Sequence, residues 1–314
     1  MNKNEETGEL IRSAGRRPEI PAEDLAAIKE AAASEWRKTV AAERGRRLRT
    51  RTAYAIAASL LVVMLGAWWW LAGKPSVAPA EIATVELSTG VVGVGDSLSQ
   101  GDTLAAAGLV ALRMAGGQSV RLEGGARLRF VSSSRLELER GAVYVDSGPS
   151  AAGDAGLEIH TPLAVVREIG TQYEVRLADE AQSVRVRVRE GSVSVVRNGE
   201  THAAMRGEQL TLQRDGSVAR AAVVPDGPEW LWILEAAPSL DIEGLSLASF
   251  LDWVSRETGW QVRYADEEIA RSAQRISLHG TIEGLRPDES LGMILQGSGL
   301  DYRKDDGAVV VVRP

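Results

Sequence analysis

The chain has 314 residues, 44% of them apolar, with 36 basic against 43 acidic side chains for a net charge of −7, and no cysteine. That length suits about two domains, and without cysteine there is no disulfide, thiolate metal site or cysteine nucleophile. Residues 1–51 hold 12 basic and 9 acidic side chains, so they carry +3 and the remainder −10, a poor electrostatic match that speaks against a nucleic-acid partner.

Residues 1–52 form an inside segment. Its first part is polar, and Arg16-Arg17-Pro18 and Pro21 discourage a long helix. A helix is predicted after Pro21. Glu23 and Asp24 suit the positive end of its dipole, and Leu25, Ile28, Ala32 and Trp36 fall at helical spacing. One short amphipathic helix cannot bury its own apolar face, so Leu25, Ile28 and Trp36 are the candidate partner contacts on this side.

Residues 53–72, Ala53 to Ala72, contain no charged residue and are flanked by Arg51 and Lys74. At about 1.5 Å per residue such a helix is about 30 Å long, enough to cross a bilayer core. Arg44, Arg46, Arg47, Arg49 and Arg51 precede it and only Lys74 follows closely, which predicts a cytoplasmic N-terminus, with the arginines touching lipid headgroups. Trp68, Trp69 and Trp70 then lie at the far interface, where indoles are favoured. A cleaved signal peptide is the rival reading, but its apolar region is usually about 7–15 residues behind a short basic head. A buried helix of a soluble core is the other.

From 81 to 224 the pattern becomes short alternating stretches separated by glycine, an all-β signature. In Leu136-Glu137-Leu138-Glu139 and Val184-Arg185-Val186-Arg187-Val188-Arg189 every second residue is apolar, which sends leucine and valine to one face and charge to the other. If the two are neighbours, acid faces base in cross-strand pairs. The simplest reading of the arginine stripe is a solvated face; the alternative is an anionic ligand. Gly116-Gly117, Gly124-Gly125, Gly141, Gly191, Gly199 and Gly207 are the predicted turns.

Four elements occur here in order: Gly117-Gln118-Ser119-Val120-Arg121-Leu122, Arg140-Gly141-Ala142-Val143-Tyr144-Val145, Ile169-Gly170-Thr171-Gln172-Tyr173-Glu174-Val175 and Val188-Arg189-Glu190-Gly191-Ser192-Val193-Ser194-Val195. Together they resemble the FecR domain, with Gly170-Thr171-Gln172-Tyr173 the most specific part. The resemblance implies an all-β domain, a sandwich or solenoid-like, in which Gly170, Thr171, Tyr173, Val175 and Gly191 are structural motif positions. Read as residues alone, these also look structural: a glycine turning the chain before a strand, and Tyr173 and Val175 sharing one face.

Residues 225–238, with three prolines and Trp230 and Trp232, read as a linker whose tryptophans pack between neighbouring domains or, alternatively, anchor a partner. From 239 to 314 the pattern predicts a small α+β module in the order βαββαββ. Its strands are Leu240 to Ile242, Trp260 to Tyr264, Arg275 to Thr281, and a hairpin of Leu300 to Arg303 with Ala308 to Val312. Its first helix starts at Ser246 and stops at Gly259, and its second follows Pro287 and ends at Gly297. Leu240 to Gly259 and Ser290 to Tyr302 resemble the secretin and TonB short N-terminal domain.

Span, FecR-like domain and this module together resemble FecR-type membrane regulators. The resemblance implies an inner-membrane protein with periplasmic C-terminal domains, partnered by an extracytoplasmic-function sigma factor inside and by the signalling domain of a TonB-dependent receptor or another periplasmic protein outside. Family members carry a longer inside region rich in tryptophan and leucine, whereas Trp36 is the one tryptophan before the span here. An envelope scaffold or sensor without anti-sigma activity is therefore the alternative. A free sheet edge of the module would dock the outer partner, and Val309, Val310 and Val311 are the candidates because AVVVV has high strand propensity and no guarding charge; a central buried strand fits the same run.

His160, His202 and His279 lack metal-ligand spacing, and no nucleophile elbow or phosphate loop is present, so neither enzyme activity, a metal nor a cofactor is expected.

Overall fold

A computed structural model describes residues 26, 29–37, 62–65, 67–68, 80–148, 156–178, 181–305 and 307–314. The chain divides into two compact units, Met1–Val77 and Ala78–Pro314. In the first, residues 29–37 are helical and Trp36 is 72% exposed. Leu25 and Ile28 lie outside the described residues, as does most of the predicted span, of which residues 62–65 and 67–68 are helical and exposed. Among the described residues no helix is long and apolar enough to cross a membrane.

Among the described residues of the second unit thirteen strands join one hydrogen-bonded network. They are β1 Glu81–Ser88, β2 Ser97–Ser99, β3 Thr103–Ala105, β4 Val110–Met114, β5 Ser119–Leu122, β6 Arg127–Ser132, β7 Arg135–Asp146, β8 Glu158–His160, β9 Val165–Leu177, β10 Ser183–Arg197, β11 Glu200–Met205, β12 Glu208–Gln213 and β13 Val218–Ala222. Three long strands shape the domain by changing partners halfway. The first half of β7 pairs with β6 and β8, its second half with β5 and β9. Likewise β10 pairs with β12 through residues 183–187 and with β11 through residues 192–197. The halves form two layers around one apolar core that includes Leu136, Leu138, Val143, Val145, Val166, Tyr173, Val186 and Val195.

The layers meet at Gly141, Gly170 and Gly191, whose φ angles are +78°, +65° and +76°. A β-carbon on Gly191 would stand 2.6 Å from Thr171 Cγ2 and 2.7 Å from Gly170 O, and one on Gly141 would stand 2.6 Å from Ala126 Cα. These glycines therefore bend continuous strands. Gly141 and Gly191 are not the turns their composition suggested, whereas Gly116, Gly124, Gly199 and Gly207 do lie in turns. The two alternating stretches do not meet as an acid–base pair: Glu137 and Glu139 face Arg129 and Arg127 of β6, at 3.3 and 2.6 Å, and not the arginines of β10.

After β13 a 3-10 turn, Pro228–Trp230, leads into α1, Leu231–Glu235; then follow α2 Leu247–Thr258, β14 Gln261–Tyr264, α3 Glu267–Arg275, α4 Pro287–Gly297, β15 Asp301–Asp305 and β16 Ala308–Val312. Ser246 accepts from Ser249 N to cap α2, and Gly259, at φ +77°, ends it. The order differs from βαββαββ. Leu240 to Ile242 is not a strand, and the predicted strand Arg275 to Thr281 contributes a single bridge, Ser246 to Ser277. Instead Asp266 caps α3, accepting from Ile269 N at 2.8 Å, and Ile269 and Ala273, one turn apart, bury its inner face.

The module's sheet runs β14-β16-β15, with β16 parallel to β14 and antiparallel to β15. Val309, Val310 and Val311 thus sit in a central strand paired on both sides and buried. This overturns their assignment as a docking edge: a strand whose N–H and C=O groups are already used on both flanks has none left for a partner. The continuous valines are explained by burial on both faces.

Candidate functional site

The sheet of β5, β7, β9 and β10 has an outer face that alternation marks as polar, yet it is dry. Arg121, Tyr144, Asp146, Gln172, Glu174 and Arg189 are each no more than 6% exposed. They line up because antiparallel register places Arg121 opposite Tyr144, Tyr144 opposite Glu174, and Asp146 opposite Gln172.

Four of these side chains converge on the last turn of α2. Arg121 grips the Glu257 carboxylate with both terminal nitrogens, each contact 2.7 Å, and donates to Ile233 O at 2.8 Å. Arg189 donates from Nε to Pro225 O at 2.7 Å, from Nη1 to Glu257 O at 2.8 Å and from Nη2 to Thr258 O at 2.7 Å. The last carbonyls of a helix have no partner within it and carry the negative end of its dipole, so a guanidinium there satisfies acceptors and charge together. Asp146 accepts from Arg256 through two nitrogens and from Gln172 Nε2 at 3.0 Å, and that same Gln172 nitrogen reaches Arg256 O at 3.1 Å.

Electrostatics follow burial. Desolvation works against the charge on Arg121, but Glu257 outweighs it and holds the guanidinium above its ordinary pKa. In Arg256 burial is likewise overcome by Asp146. Burial, then the charge of Asp146, pushes the Tyr144 phenol up. Further along the face Glu174, 0% exposed, meets Arg176 at 2.9 Å, Arg187 at 3.4 Å and Arg185 at 3.8 Å. Arg185 gains less from it than desolvation costs, and its pKa falls. The arginine stripe of β10 is therefore neither a solvated face nor an open anion site: Arg187 answers a buried carboxylate and Arg189 a helix end.

Aromatic packing completes the contact. Trp230 donates to Val224 O at 2.8 Å, meets the Tyr144 ring edge-on at 6.4 Å and lies under Arg189, 5.1 Å from its ring centre. Of the two linker tryptophans Trp230 packs on the β-domain, against Tyr144, Val223 and Arg189, while Trp232 is only partly buried. Beside it an open cleft of about 470 Å³ is lined by Arg189, Arg206, Arg256, Gly259, Trp260 and Gln261.

The motif positions fall on the corners and core. Gly170 and Gly191 lie against one another where β9 and β10 bend, Tyr173 and Val175 point into the core, and the main chain of Thr171 accepts from Ser147 Oγ at 3.1 Å. Val309, Val310 and Val311 are no part of this face. Each histidine has a neighbouring glutamate, Glu158, Glu200 or Glu243, and the three are separate; among the described residues no group of three side chains could hold a metal. Arg121, Asp146 and Glu257 were not recognisable as partners from sequence. The one signal was that Arg189 ends a stripe and Gly259 ends a helix, each demanding something nearby.

The polar face of this sheet is thus covered by the chain's own later residues, chiefly the last turn of α2. Residues 102–194 match the family model described as FecR protein, so this chain carries a FecR domain. No curated protein matches the chain. Two crystal structures of a candidate anti-sigma factor from Parabacteroides distasonis ATCC 8503 are similar at 17% identity. They cover 68% and 70% of this chain and 96% and 98% of their own, with TM-scores of 0.35 and 0.34.

Proposed function

We propose that this chain is a single-span inner-membrane signal transducer that regulates an extracytoplasmic-function sigma factor in response to a periplasmic or outer-membrane receptor signal. The observation that carries this reading is the FecR match over residues 102–194, placed after a charge-free stretch from Ala53 to Ala72 with five arginines before it. The arginines put residues 1–52 in the cytoplasm, where the helix bearing Leu25, Ile28 and Trp36 meets the sigma factor, and the C-terminal domains in the periplasm. Affinity capture with residues 1–51 as bait should recover a sigma factor from a native lysate; recovery of none would overturn the reading. Protease added to spheroplasts should degrade the large domains and spare a small N-terminal fragment, and protection of the large domains would reverse the orientation.

An outer partner, the signalling domain of a TonB-dependent receptor or another periplasmic protein, would pair with an outer strand of the module, β14 or β15, since β16 is enclosed. Of the two β15 is the better guarded, with Asp301, Arg303, Lys304 and Asp305 along it. A scaffold or sensor role is the second reading, favoured by Trp36 being the lone tryptophan among residues 1–52. Deletion of residues 2–40 separates the two, because a scaffold would keep its phenotype.

A further inference from the structure

The β-domain and the module have separate apolar cores, and a third small cluster, Tyr144, Val223, Trp230 and Ile233, belongs to the linker. What holds the module's own helix to the sheet is polar. Arg121, Asp146, Gln172 and Arg189 reach three consecutive residues, Arg256, Glu257 and Thr258, and among the described residues no other turn of α2 is bound in this way. Gly259 is part of the fit, because a β-carbon there would stand 2.4 Å from Pro225 O and 2.8 Å from Arg189 Nε.

Such a contact depends on one geometry. A forked guanidinium satisfies its acceptors in one geometry and loses several bonds together when that geometry is left. Apolar surfaces tolerate sliding; this contact does not. Water is already at hand, since Arg189, Arg256 and Gly259 also line the open cleft of about 470 Å³ and would be solvated from that side on opening. Between α1 and α2 the chain passes through Ala236, Ala237, Pro238 and Ser239, which lie in neither helix nor strand and can absorb a change of direction.

The geometry points to a latch: the last turn of α2 docks the module on the FecR domain, and releasing it lets the module move as a rigid body while the linker cluster stays seated on Tyr144. This inference stands on the contact itself and does not rest on the sigma-factor reading, which the capture experiment tests separately.

The absence of cysteine makes the test clean, because introduced thiols are the only ones. Nitroxide labels at Met205→Cys on β11 and Met293→Cys on α4, both exposed, report the distance between the two bodies in the detergent-solubilised full chain. A second pair within the module, Arg271→Cys and Met293→Cys, reports whether the module itself stays folded. The parent should give one narrow distance for each pair. With Arg256→Gln and Glu257→Gln added, the population at longer distance in the first pair should rise at least about fivefold while the second pair is unchanged. An unchanged first pair would overturn the latch, since the charges would then only stabilise one rigid unit. Broadening of both pairs together would overturn it as well, since the module would then lack independent integrity.

Discussion

On its inner face the sheet of β5, β7, β9 and β10 presents Val120, Leu122, Val143, Val145, Val175, Val186 and Val188 to the core, and on its outer face Arg121, Asp146, Gln172, Glu174 and Arg189, which are as thoroughly buried. The inner face gains stability from area removed from water and would accept other apolar side chains of similar volume. The outer face gains little net energy from its charges, whose desolvation offsets most of their attraction, but it accepts only one partner geometry. The comparison teaches that equal burial can carry different information: one face holds the domain together, and the other selects what docks on it.

The contrast breaks most sharply under truncation. Phe130→Ala in the core should cost about 3–5 kcal/mol through a cavity. Arg121→Ala should cost a similar 3–5 kcal/mol by leaving Glu257 buried without its partner. Only the second should be rescued by a further change: Arg121→Met with Glu257→Leu removes both charges and should return stability to within about 1 kcal/mol of the parent or above it. Denaturant midpoints of the four proteins check this.

The corners come next. Gly191→Ala should cost more than the ~1–2 kcal/mol of left-handed strain alone, because its β-carbon also meets Thr171 and Gly170. Gly170→Ala, where nothing lies within 4 Å, should cost only that strain, about 1–2 kcal/mol. Equal losses in thermal melts would show that the corner is not tightly packed. At the exposed end, Arg127→Ala breaks the pair with Glu139, whose side chains are 49% and 42% exposed, and should cost under about 1 kcal/mol.

The smallest effect is one of pH. Burial pushes the Glu168 carboxyl above its ordinary value, against hydrogen bonds from Leu157 N and Ser147. A group raised in the folded state contributes stability below its unfolded pKa and loses it as pH climbs through the folded one. Glu168→Gln, which imitates the protonated acid, should therefore lose less stability than the parent as pH rises above the carboxylate range. Parallel urea titrations at acid and neutral pH read the difference, and identical pH slopes would count against it.

Local pattern determined a good deal by itself. Alternation marked the strands and their inner face, Ser246 and Gly259 bounded α2, Pro287 opened α4, and Ala308 to Val312 read as the last strand, because periodicity and caps depend on residues within a few positions. Even there a competing local signal misled: Arg275 to Thr281 read as a strand, while the Asp266 cap and the Ile269, Ala273 pair had already committed the preceding residues to a helix. Tertiary structure decided the rest. Gly141 and Gly191 could be turns or corners until their strands were seen to pair on both sides of the bend. The valines of β16 could be edge or centre until β14 and β15 flanked them. Above all, the polar side of an alternating strand looks the same whether water or another folded unit lies over it. Arg121 and Glu257 are 136 positions apart, and only the chain's return across the sheet brings that carboxylate to that guanidinium.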